Sequence, residues 1–462
     1  MTVSNHKPGS DAGGHLFYQT RQRRPVLERA QGVYLWDVDG KRYLDGSSGA
    51  MVCNIGHSNK HVLDAMRRQM DKSTFGYRLQ FETEAAEQLA SRTAALMPDG
   101  INRLFFVSGG SEAVESAIKL ARQYTLAIGD SSRYKIISRY PSYHGCTLGA
   151  LGLTGYSPMT SPFAPMLHES PKIDAPTCYL DNDGLTDESR GQRYANQLEE
   201  EIKRQGAETV LAFIVEPVGG ASTGALVPPP GYMERIREIC DQYGVLLIYD
   251  EVMTGAGRTG CFLAADHFDA QPDLIVLSKG FAAGYVPLGA LAARDDMVET
   301  VLDNGGFIHG FTYAGNPLAC AAGLAVLEEI QTNNLVANAA KMGDILRGEL
   351  DGLMSEYPFI GDVRGLGLLL AFEMVNNRDT MAPLAKELNA YHRLVEIAYE
   401  AGLIIYSRRT RGGLEGDHFM ICPPLIVDTT HIDEIMEKLR ISINRFAYEA
   451  KLDRALHSAI SR

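Results

Sequence analysis

Two residues of opposite charge follow apolar segments that are typical of buried strands. Lys279 comes directly after "DLIVLS", and Asp250 directly after "VLLIY". The carboxyl ends of parallel strands meet at one edge of a sheet, where such sheets bind ligands, so both side chains are expected there. A buried lysine is costly unless it is paired or reacted. The pattern allows a plain buried ion pair, or a lysine that forms a Schiff base beside an aspartate that keeps a cofactor's ring nitrogen protonated.

A glycine-rich stretch, Gly109-Gly110-Ser111, separates a predicted strand, "RLFFV", from an amphipathic helix, "EAVESAIKLA". Glycines let a ligand approach the backbone, and the N–H groups of a first helical turn favour an anion. A helix simply capped by Ser111 explains the same residues equally well. With an anion site, the chain would offer partners for a phosphate, a ring nitrogen and an aldehyde. Pyridoxal phosphate carries all three groups.

Three further motifs match known signatures but fail in context. The G-x-G-x-x-G at 255–260 is followed by polar residues and Pro272 rather than a helix, which favours a turn over a dinucleotide site. The G-x-S-x-G at 220–224 is followed by three prolines, which exclude the helix of a nucleophile elbow and favour a flexible loop. His57 and His61 lie four residues apart without a third metal ligand nearby, so structural histidines are predicted.

Composition limits the class of partner. The formal net charge is −13, which argues against nucleic acid, because that binding needs a concentrated basic patch. No apolar run reaches the roughly 18 residues of a membrane helix, and the N-terminus has no apolar signal core. The seven scattered cysteines indicate thiols in a reducing compartment. A soluble, cytoplasmic protein without a membrane partner is predicted.

The elements that must position these residues form two groups. From 74 to 325, amphipathic helices alternate with short strands that are apolar throughout, which predicts an α/β domain with a mostly parallel sheet covered by helices on both faces. The region 1–73 reads as an arm followed by part of a small α+β domain, with a hairpin around Asp39-Gly40. The region 326–462 reads as the second part of that domain.

An ordered series of motifs resembles the class III aminotransferases, which are fold-type-I pyridoxal-phosphate enzymes and include the omega-transaminases. The series spans nearly the whole chain: "YLWDVDGKRYLD", "SGGSEA", "YHG", "YDEVMTGAGRTG", "LSKG", "HGFTYAGNPLACAA" and "CPPLIV". The resemblance implies pyridoxal phosphate as cofactor. It also implies ping-pong transfer of an amino group from an amine donor to a keto-acid acceptor.

The resemblance assigns roles to individual residues. Lys279 matches the lysine that forms the Schiff base and acts as the base, and Asp250 matches the partner of the ring nitrogen. Further cofactor contacts are implied for Gly109, Gly110, Ser111, Tyr143, Glu216, Val252 and Thr312. Thr312 would reach the phosphate of a neighbouring subunit, which implies a homodimer and leaves tetramers open. Substrate contacts are implied for Met51, Tyr77 and one arginine of "SRRTR", with Arg408 favoured over Arg409 and Arg411.

Departures from the family pattern narrow the substrate. Members that act on ornithine or 4-aminobutyrate carry Gln at the position of Met253 and Glu at that of Ala221. Their absence favours an omega-transaminase that uses an amine or ω-amino acid with pyruvate. An ornithine, 4-aminobutyrate or diamine aminotransferase, or an aminomutase or decarboxylase, is the alternative. A transaminase needs a keto acid as second substrate for turnover, whereas an aminomutase or a decarboxylase does not.

Overall fold

The computed structural model of the chain describes residues 15–168 and 170–452. Its described strands are β1 (Leu27–Gln31), β2 (Tyr34–Asp37), β3 (Arg42–Asp45), β4 (Ile101–Val107), β5 (Lys135–Tyr140), β6 (Lys172–Asp174), β7 (Val210–Val215), β8 (Leu246–Asp250), β9 (Leu274–Leu277), β10 (Gly289–Arg294), β11 (Ile360–Leu366), β12 (Leu369–Asn377), β13 (Ala382–Pro383), β14 (Leu403–Ile404), β15 (Tyr406–Arg408) and β16 (Asp417–Ile421). Its described helices are α1 (Ser48–Met51), α2 (Lys60–Lys72), α3 (Glu84–Ala94), α4 (Gly110–Ala127), α5 (Leu148–Leu153), α6 (Ser157–Thr160), α7 (Asp187–Gln205), α8 (Tyr232–Tyr243), α9 (Asp295–Asp303), α10 (Pro317–Thr332), α11 (Leu335–Glu356), α12 (Ala390–Glu400) and α13 (Thr429–Glu449).

A central sheet has the described strands in the order β4-β10-β9-β8-β7-β5-β6. Strands β5 to β9 run parallel, and β10 is antiparallel to both of its neighbours. The predicted mostly parallel sheet is therefore confirmed. Because the parallel strands share one direction, the ends of β8 and β9 lie at the same edge of the sheet.

Helices cover both faces of this sheet, as the apolar strands predict. In β7 all six residues are buried. Phe213 and Val215 pack into the cluster that contains residues of α7 and α8, whereas Ala212 and Ile214 pack into the cluster that contains residues of α4. Successive side chains of a strand point to opposite faces, so a strand covered on both sides is apolar at every position.

The two ends of the chain meet in the smaller part of the fold. Strands β1 to β3 form antiparallel pairs, and β3 then pairs in parallel with β14, with Leu44 opposite Leu403. A further sheet has the strand order β11-β12-β16-β15. Along the chain, α11 precedes these strands, α12 lies between β12 and β15, and α13 follows β16. Helix α10 runs through position 325, so the division predicted there from the sequence falls inside a helix.

The predicted N-terminal arm lies partly outside the described residues, because the description begins at residue 15. From 15 to 26 the chain has no helix or strand, and Arg24 forms an ion pair of 2.5 Å with Glu396 on α12. Among the described helices, none is both long and apolar enough to cross a membrane.

Candidate active site

Two adjoining cavities open at the carboxyl edge of the central sheet. The inner cavity is lined by residues that include Gly110, Ser111, Tyr143, Asp250, Val252 and Lys279. The outer cavity is lined by residues that include Met51, Tyr156, Ala221, Ser222, Tyr406 and Arg408. Tyr143, Met253 and Lys279 line both. Lys279 therefore lies where the two cavities join.

The Asp250 carboxylate is held on both of its oxygens. Nδ1 of His144 lies 2.8 Å from Oδ2, and the backbone N–H of Val252 donates to Oδ1 at 3.1 Å. Asp250 and His144 are both buried. Within the described part of the chain, Lys279 and Asp250 form no ion pair, so the plain ion-pair interpretation is wrong. The carboxylate faces the inner cavity in a fixed orientation.

The Lys279 side chain leaves the sheet just beyond β9. Its backbone adopts φ of 45°, in the left-handed region that side chains other than glycine rarely occupy. Burial lowers the pKa of the Lys279 amine below its ordinary value, while the carboxylates of Asp250 and Glu216 act to raise it. A larger fraction of this amine is therefore neutral at a given pH than for an exposed lysine.

The glycine loop leads into α4 without a side-chain cap. Gly109 occupies the N-cap position with no side-chain hydrogen bond, and Ser111 is the second helical residue, so the prediction of a Ser111 cap is wrong. The Ser111 hydroxyl accepts instead from the backbone N–H of Cys146 at 3.0 Å. A Cβ on Gly110 would lie 2.9 Å from Cγ1 of Val252, so a side chain there would collide with a residue that lines the inner cavity.

Glu216 and Tyr143 close the inner cavity on the side of β7. The Glu216 carboxylate accepts from the backbone N–H of Gly220 at 3.0 Å and from that of Tyr143 at 3.3 Å. Burial raises the pKa of Glu216. Burial also raises the pKa of Tyr143 to about 12, so this phenol stays protonated near neutral pH.

The three arginines left open by the sequence have different surroundings. Arg408 lines the outer cavity with its guanidinium 5.1 Å from the centre of the Tyr406 ring. Arg409 donates to the backbone carbonyls of Leu414 and Lys386, and Arg411 to that of Met381. The geometry therefore favours Arg408. Met51, Met253 and Ala221, which the resemblance singled out, line the same outer cavity.

Two predicted residues, Thr312 and Tyr77, do not line either cavity. Thr312 is exposed, and Tyr77 is 39% exposed. The ring of Phe75 lies 6.1 Å from that of Tyr313, which brings their two segments together on one face. Leu79, Phe81 and Ile308, which lie within six residues of Phe75 or Tyr313 in the sequence, are 76%, 68% and 81% exposed.

Sequence reasoning missed His144, although it stands next to Tyr143 in "YHG". Its role depends on a partner 106 residues away, which neither composition nor periodicity indicates. Tyr156, Met159 and Tyr406 of the outer cavity were missed for the same reason. Adjacency to a predicted site residue is the signal that would have found His144.

The three rejected motifs have structural roles. Residues 252–259 form turns and open no helix, as predicted. Residues 220–224 form a loop, but Ser222 is 3% exposed and Arg364 donates to the carbonyls of Thr223 and Gly224, so the expected flexibility is wrong. His57 lies 3.0 Å from Asp45, and His61 lies 2.9 Å from Glu328, so the two histidines have separate partners.

Comparison with known proteins identifies the class. The family model "Aminotransferase class-III" matches residues 18–443. An uncharacterized aminotransferase of Bacillus subtilis is 41% identical over 89% of this chain and 93% of its own. The putrescine–pyruvate aminotransferase of Pseudomonas aeruginosa is 33% identical over 91% of each chain. The crystal structure of an (S)-enantioselective omega-transaminase from Thermomicrobium roseum superposes with a TM-score of 0.87, at 37% identity over 94% of this chain and 96% of that one.

The chain belongs to the class III aminotransferases. It is an enzyme of the fold-type-I group that transfers an amino group between an amine and a keto acid with pyridoxal phosphate. The inner cavity fits this cofactor. The side-chain-free Gly110 leaves room at the start of α4, where unpaired N–H groups suit a phosphate. The fixed Asp250 carboxylate suits a protonated ring nitrogen, and the Lys279 amine suits an aldehyde.

Proposed function

We propose that this enzyme is an omega-transaminase that moves the amino group of an amine or ω-amino acid to pyruvate, with Lys279 as the reactive amine. The observation that carries the proposal is the position of Lys279, which lines both cavities at their junction. The inner cavity would hold the cofactor and the outer cavity the remainder of each substrate. One lysine then reaches the reacting atoms of both.

When bound, pyridoxal phosphate supplies an aldehyde that bonds amines and a ring that takes up an electron pair. Gly109, Gly110 and Ser111 at the start of α4 would hold its phosphate. Asp250 would hold its ring nitrogen, with Val252 and Tyr143 against the ring. Glu216, fixed by two backbone N–H groups, would lie near the ring and keep Tyr143 in place.

Lys279 is proposed as the general base. With cofactor and donor bound, its neutral Nζ would take a proton from the amine-bearing carbon of the donor and pass it to the cofactor. Burial of the side chain supports this role, because a lowered pKa increases the neutral fraction of the amine. In the second half of the reaction Lys279 moves the proton in the opposite direction, with a keto acid as acceptor.

Asp250 is proposed to stabilise the charge that develops during proton transfer. Its carboxylate would keep the ring nitrogen of the bound cofactor protonated, and that positive charge would stabilise the electron pair released at the donor carbon. The contacts from His144 and the Val252 N–H support this role, because they hold the carboxylate before the substrate arrives.

The outer cavity supports the substrate class. Arg408 provides a positive charge for the carboxylate of pyruvate or of an ω-amino acid, while Met51, Met253 and Ala221 provide apolar surface for a simple amine. A relative at 33% identity is named for putrescine and pyruvate, which supports pyruvate as acceptor here. Met253 and Ala221 support omega-transamination over the ornithine and 4-aminobutyrate alternatives.

Borohydride reduction of the purified holoenzyme followed by peptide mapping tests the site. The cofactor should be fixed to the peptide that contains Lys279, and Lys279→Ala should lose both the label and transamination while it still binds pyridoxamine phosphate. Asp250→Asn should bind cofactor but lose several orders of magnitude in kcat, because a preorganised charge is removed. Labelling of another lysine would overturn the assignment. Turnover without a keto acid would instead indicate an aminomutase or decarboxylase.

We further propose a homodimer whose sites are shared between chains. The exposed aromatic side chains of Phe75, Tyr77, Phe81 and Tyr313 support this assembly, and Thr312, which precedes Tyr313, is exposed as well. Thr312 would contact the phosphate in the partner's inner cavity, and Tyr77 would reach the same region. Sedimentation should give twice the monomer mass or a multiple of it. A mixture of Lys279→Ala and Thr312→Ala, refolded together, should regain activity that neither variant has alone.

The division of the chain is a proposal of the same kind. We place residues 74–325 in the cofactor domain, with 1–73 and 326–462 in a small domain, and the β3–β14 pairing supports the union of the two ends. Because α10 crosses position 325, its end at Thr332 is the better limit. A cytoplasmic location is supported by the seven cysteines, which all lie in the described residues and form no disulfide.

A further inference from the structure

Arg258, in the rejected glycine motif, is fully buried and donates to acceptors from two distant parts of the chain. Its Nη1 donates to the backbone carbonyls of Leu368 at 3.2 Å and Pro423 at 2.5 Å. Its Nη2 donates to Oγ of Ser48 at 3.0 Å and Oδ1 of Asn54 at 2.6 Å. All four acceptors are neutral. A buried cation without a carboxylate in contact is costly to the stability of the fold, which points to a role other than stabilisation.

The Ser48 contact fixes the segment that carries Met51 into the outer cavity. Ser48, Gly49 and Met51 all have positive φ, of 50°, 67° and 55°. Such backbone is strained at non-glycine residues and persists only where its surroundings hold it. The Ser48 hydroxyl accepts from Arg258 and donates to the carbonyl of Cys422 at 2.7 Å.

Asp45 holds the same segment from the other side. Its Oδ1 accepts from the backbone N–H groups of Ser47 at 3.2 Å and Gly49 at 3.1 Å, and its Oδ2 lies 3.0 Å from Nε2 of His57. The strained turn is therefore fixed by a buried carboxylate through its backbone and by a buried guanidinium through Ser48. Met51, which follows directly, is 1% exposed.

The Asn54 contact reaches the segment of Lys279. Asn54 accepts from Arg258 and donates to the carbonyl of Ala256 at 2.9 Å, so its amide has a fixed orientation. A Cβ on Gly280 would lie 2.3 Å from Nδ2 of Asn54. The Asn54 amide therefore packs directly against the backbone of Gly280. The preceding residue, Lys279, has a positive φ.

We propose that Arg258 is a positioning residue that sets the shape of the outer cavity at Met51 and supports the backbone beside Lys279. It acts through Ser48 and Asn54 and touches neither substrate nor cofactor. The proposal rests on the proposed function, because it assigns the outer cavity to substrate. Its direct consequence is that the choice between small and bulky amines depends on a residue outside the cavity.

The test uses Arg258→Met, Arg258→Lys and Ser48→Ala in the holoenzyme, with Arg133→Met as matched control. Arg133 also donates to backbone carbonyls, those of Val210 and Tyr243, but at the opposite edge of the sheet. Hydrogen exchange of peptides covering 45–56 is measured beside kcat/KM for 2-aminopropane and 1-phenylethylamine with pyruvate. The exchange measurement needs no activity, so it separates failure of this proposal from failure of the proposed function.

Arg258→Met should raise exchange in 45–56 by about tenfold or more, because a braced segment opens locally. It should change the ratio of kcat/KM between the two amines by about tenfold, the scale of a small change in pocket shape. Arg258→Lys and Ser48→Ala should change the exchange rate and the kcat/KM ratio in the same direction as Arg258→Met, but by smaller factors. If Arg258→Met does not fold, these two variants provide the test. Unchanged exchange and ratio in the folded variants, or an equal shift in Arg133→Met, would overturn the proposal.

Discussion

His144 and Asp250 are joined by a hydrogen bond of 2.8 Å between two buried side chains that are 106 residues apart in sequence. An ionised carboxylate only accepts hydrogen bonds, so Nδ1 of His144 carries the proton. With the Val252 N–H on the other oxygen, this contact leaves the Asp250 carboxylate one orientation. The aspartate is thus set in place by the fold rather than by its ligand.

His144→Ala should lower kcat by about 10- to 100-fold, the usual effect of losing a residue that orients a ligand-binding group. The cofactor should remain bound, because the Gly110 loop and Lys279 are unchanged. Steady-state kinetics with the cofactor absorbance as a loading check measure the effect. His61→Ala, which removes an exposed histidine paired with Glu328, is the control and should leave kcat unchanged. Equal kcat in the His144 variant and wild type would remove His144 from the site.

Glu216→Gln should shift the acid limb of the kcat–pH profile to lower pH. The Glu216 carboxylate raises the pKa of Lys279, while burial lowers it. Removing the negative charge lowers that pKa further, so the neutral amine persists to lower pH. Glu201→Gln, a buried carboxylate on α7, is the control and should leave the limb in place. A limb that moves to higher pH would show that Glu216 does not act on Lys279 by its charge.

Arg408→Leu should raise KM for pyruvate and for ω-amino acids by about 10- to 150-fold, the loss expected for one charge-assisted hydrogen bond of 1.5 to 3 kcal/mol. KM for an amine without a carboxylate should change little or fall, because the cavity becomes more apolar. Initial rates with matched pairs of donors measure the difference. Arg409→Leu should leave both values near those of wild type, since Arg409 donates to backbone carbonyls. A rise in KM for pyruvate in Arg409→Leu, with no change in Arg408→Leu, would assign binding of the substrate carboxylate to Arg409.

Arg364→Met should destabilise the enzyme by about 3 to 5 kcal/mol, because it leaves the buried Glu373 carboxylate without its ion-pair partner. Glu373→Leu should cost less, because Arg364 keeps a second ion pair of 2.6 Å with Asp362. Nη2 of Arg364 lies 2.8 Å from Oε2 of Glu373, and the Tyr179 hydroxyl donates to the same oxygen at 2.9 Å. The double variant should cost less than the sum, which a double-mutant cycle from chemical denaturation measures. Strict additivity would mean that the two charges are not coupled.

The sequence predicted the elements well where one physical rule decides the pattern. Strands covered on both faces are apolar throughout, so the segments of β7 and β8 were recognisable, and Lys279 and Asp250 followed from the shared edge of parallel strands. The antiparallel direction of β10 was not predictable, since its buried residues look like those of β9.

Contacts between distant segments account for what the sequence left out. His144 on Asp250 and Arg258 on Ser48 depend on how loops meet after folding, and no local propensity encodes either. The G-x-G-x-x-G motif opens no helix, as predicted, yet its arginine has contacts that a simple turn does not require. In the proposed homodimer the surroundings of Thr312 depend on a second chain, which a single sequence does not display.

The left-handed backbone at Met51 has a consequence for laboratory evolution of this enzyme. With φ of 55°, position 51 disfavours β-branched residues on backbone grounds alone. Among the variants from a saturation library at this codon that fold, Val, Ile and Thr should be rare, whichever amine is then used for selection. Gly and Asn should survive more often than their fit to the substrate would justify.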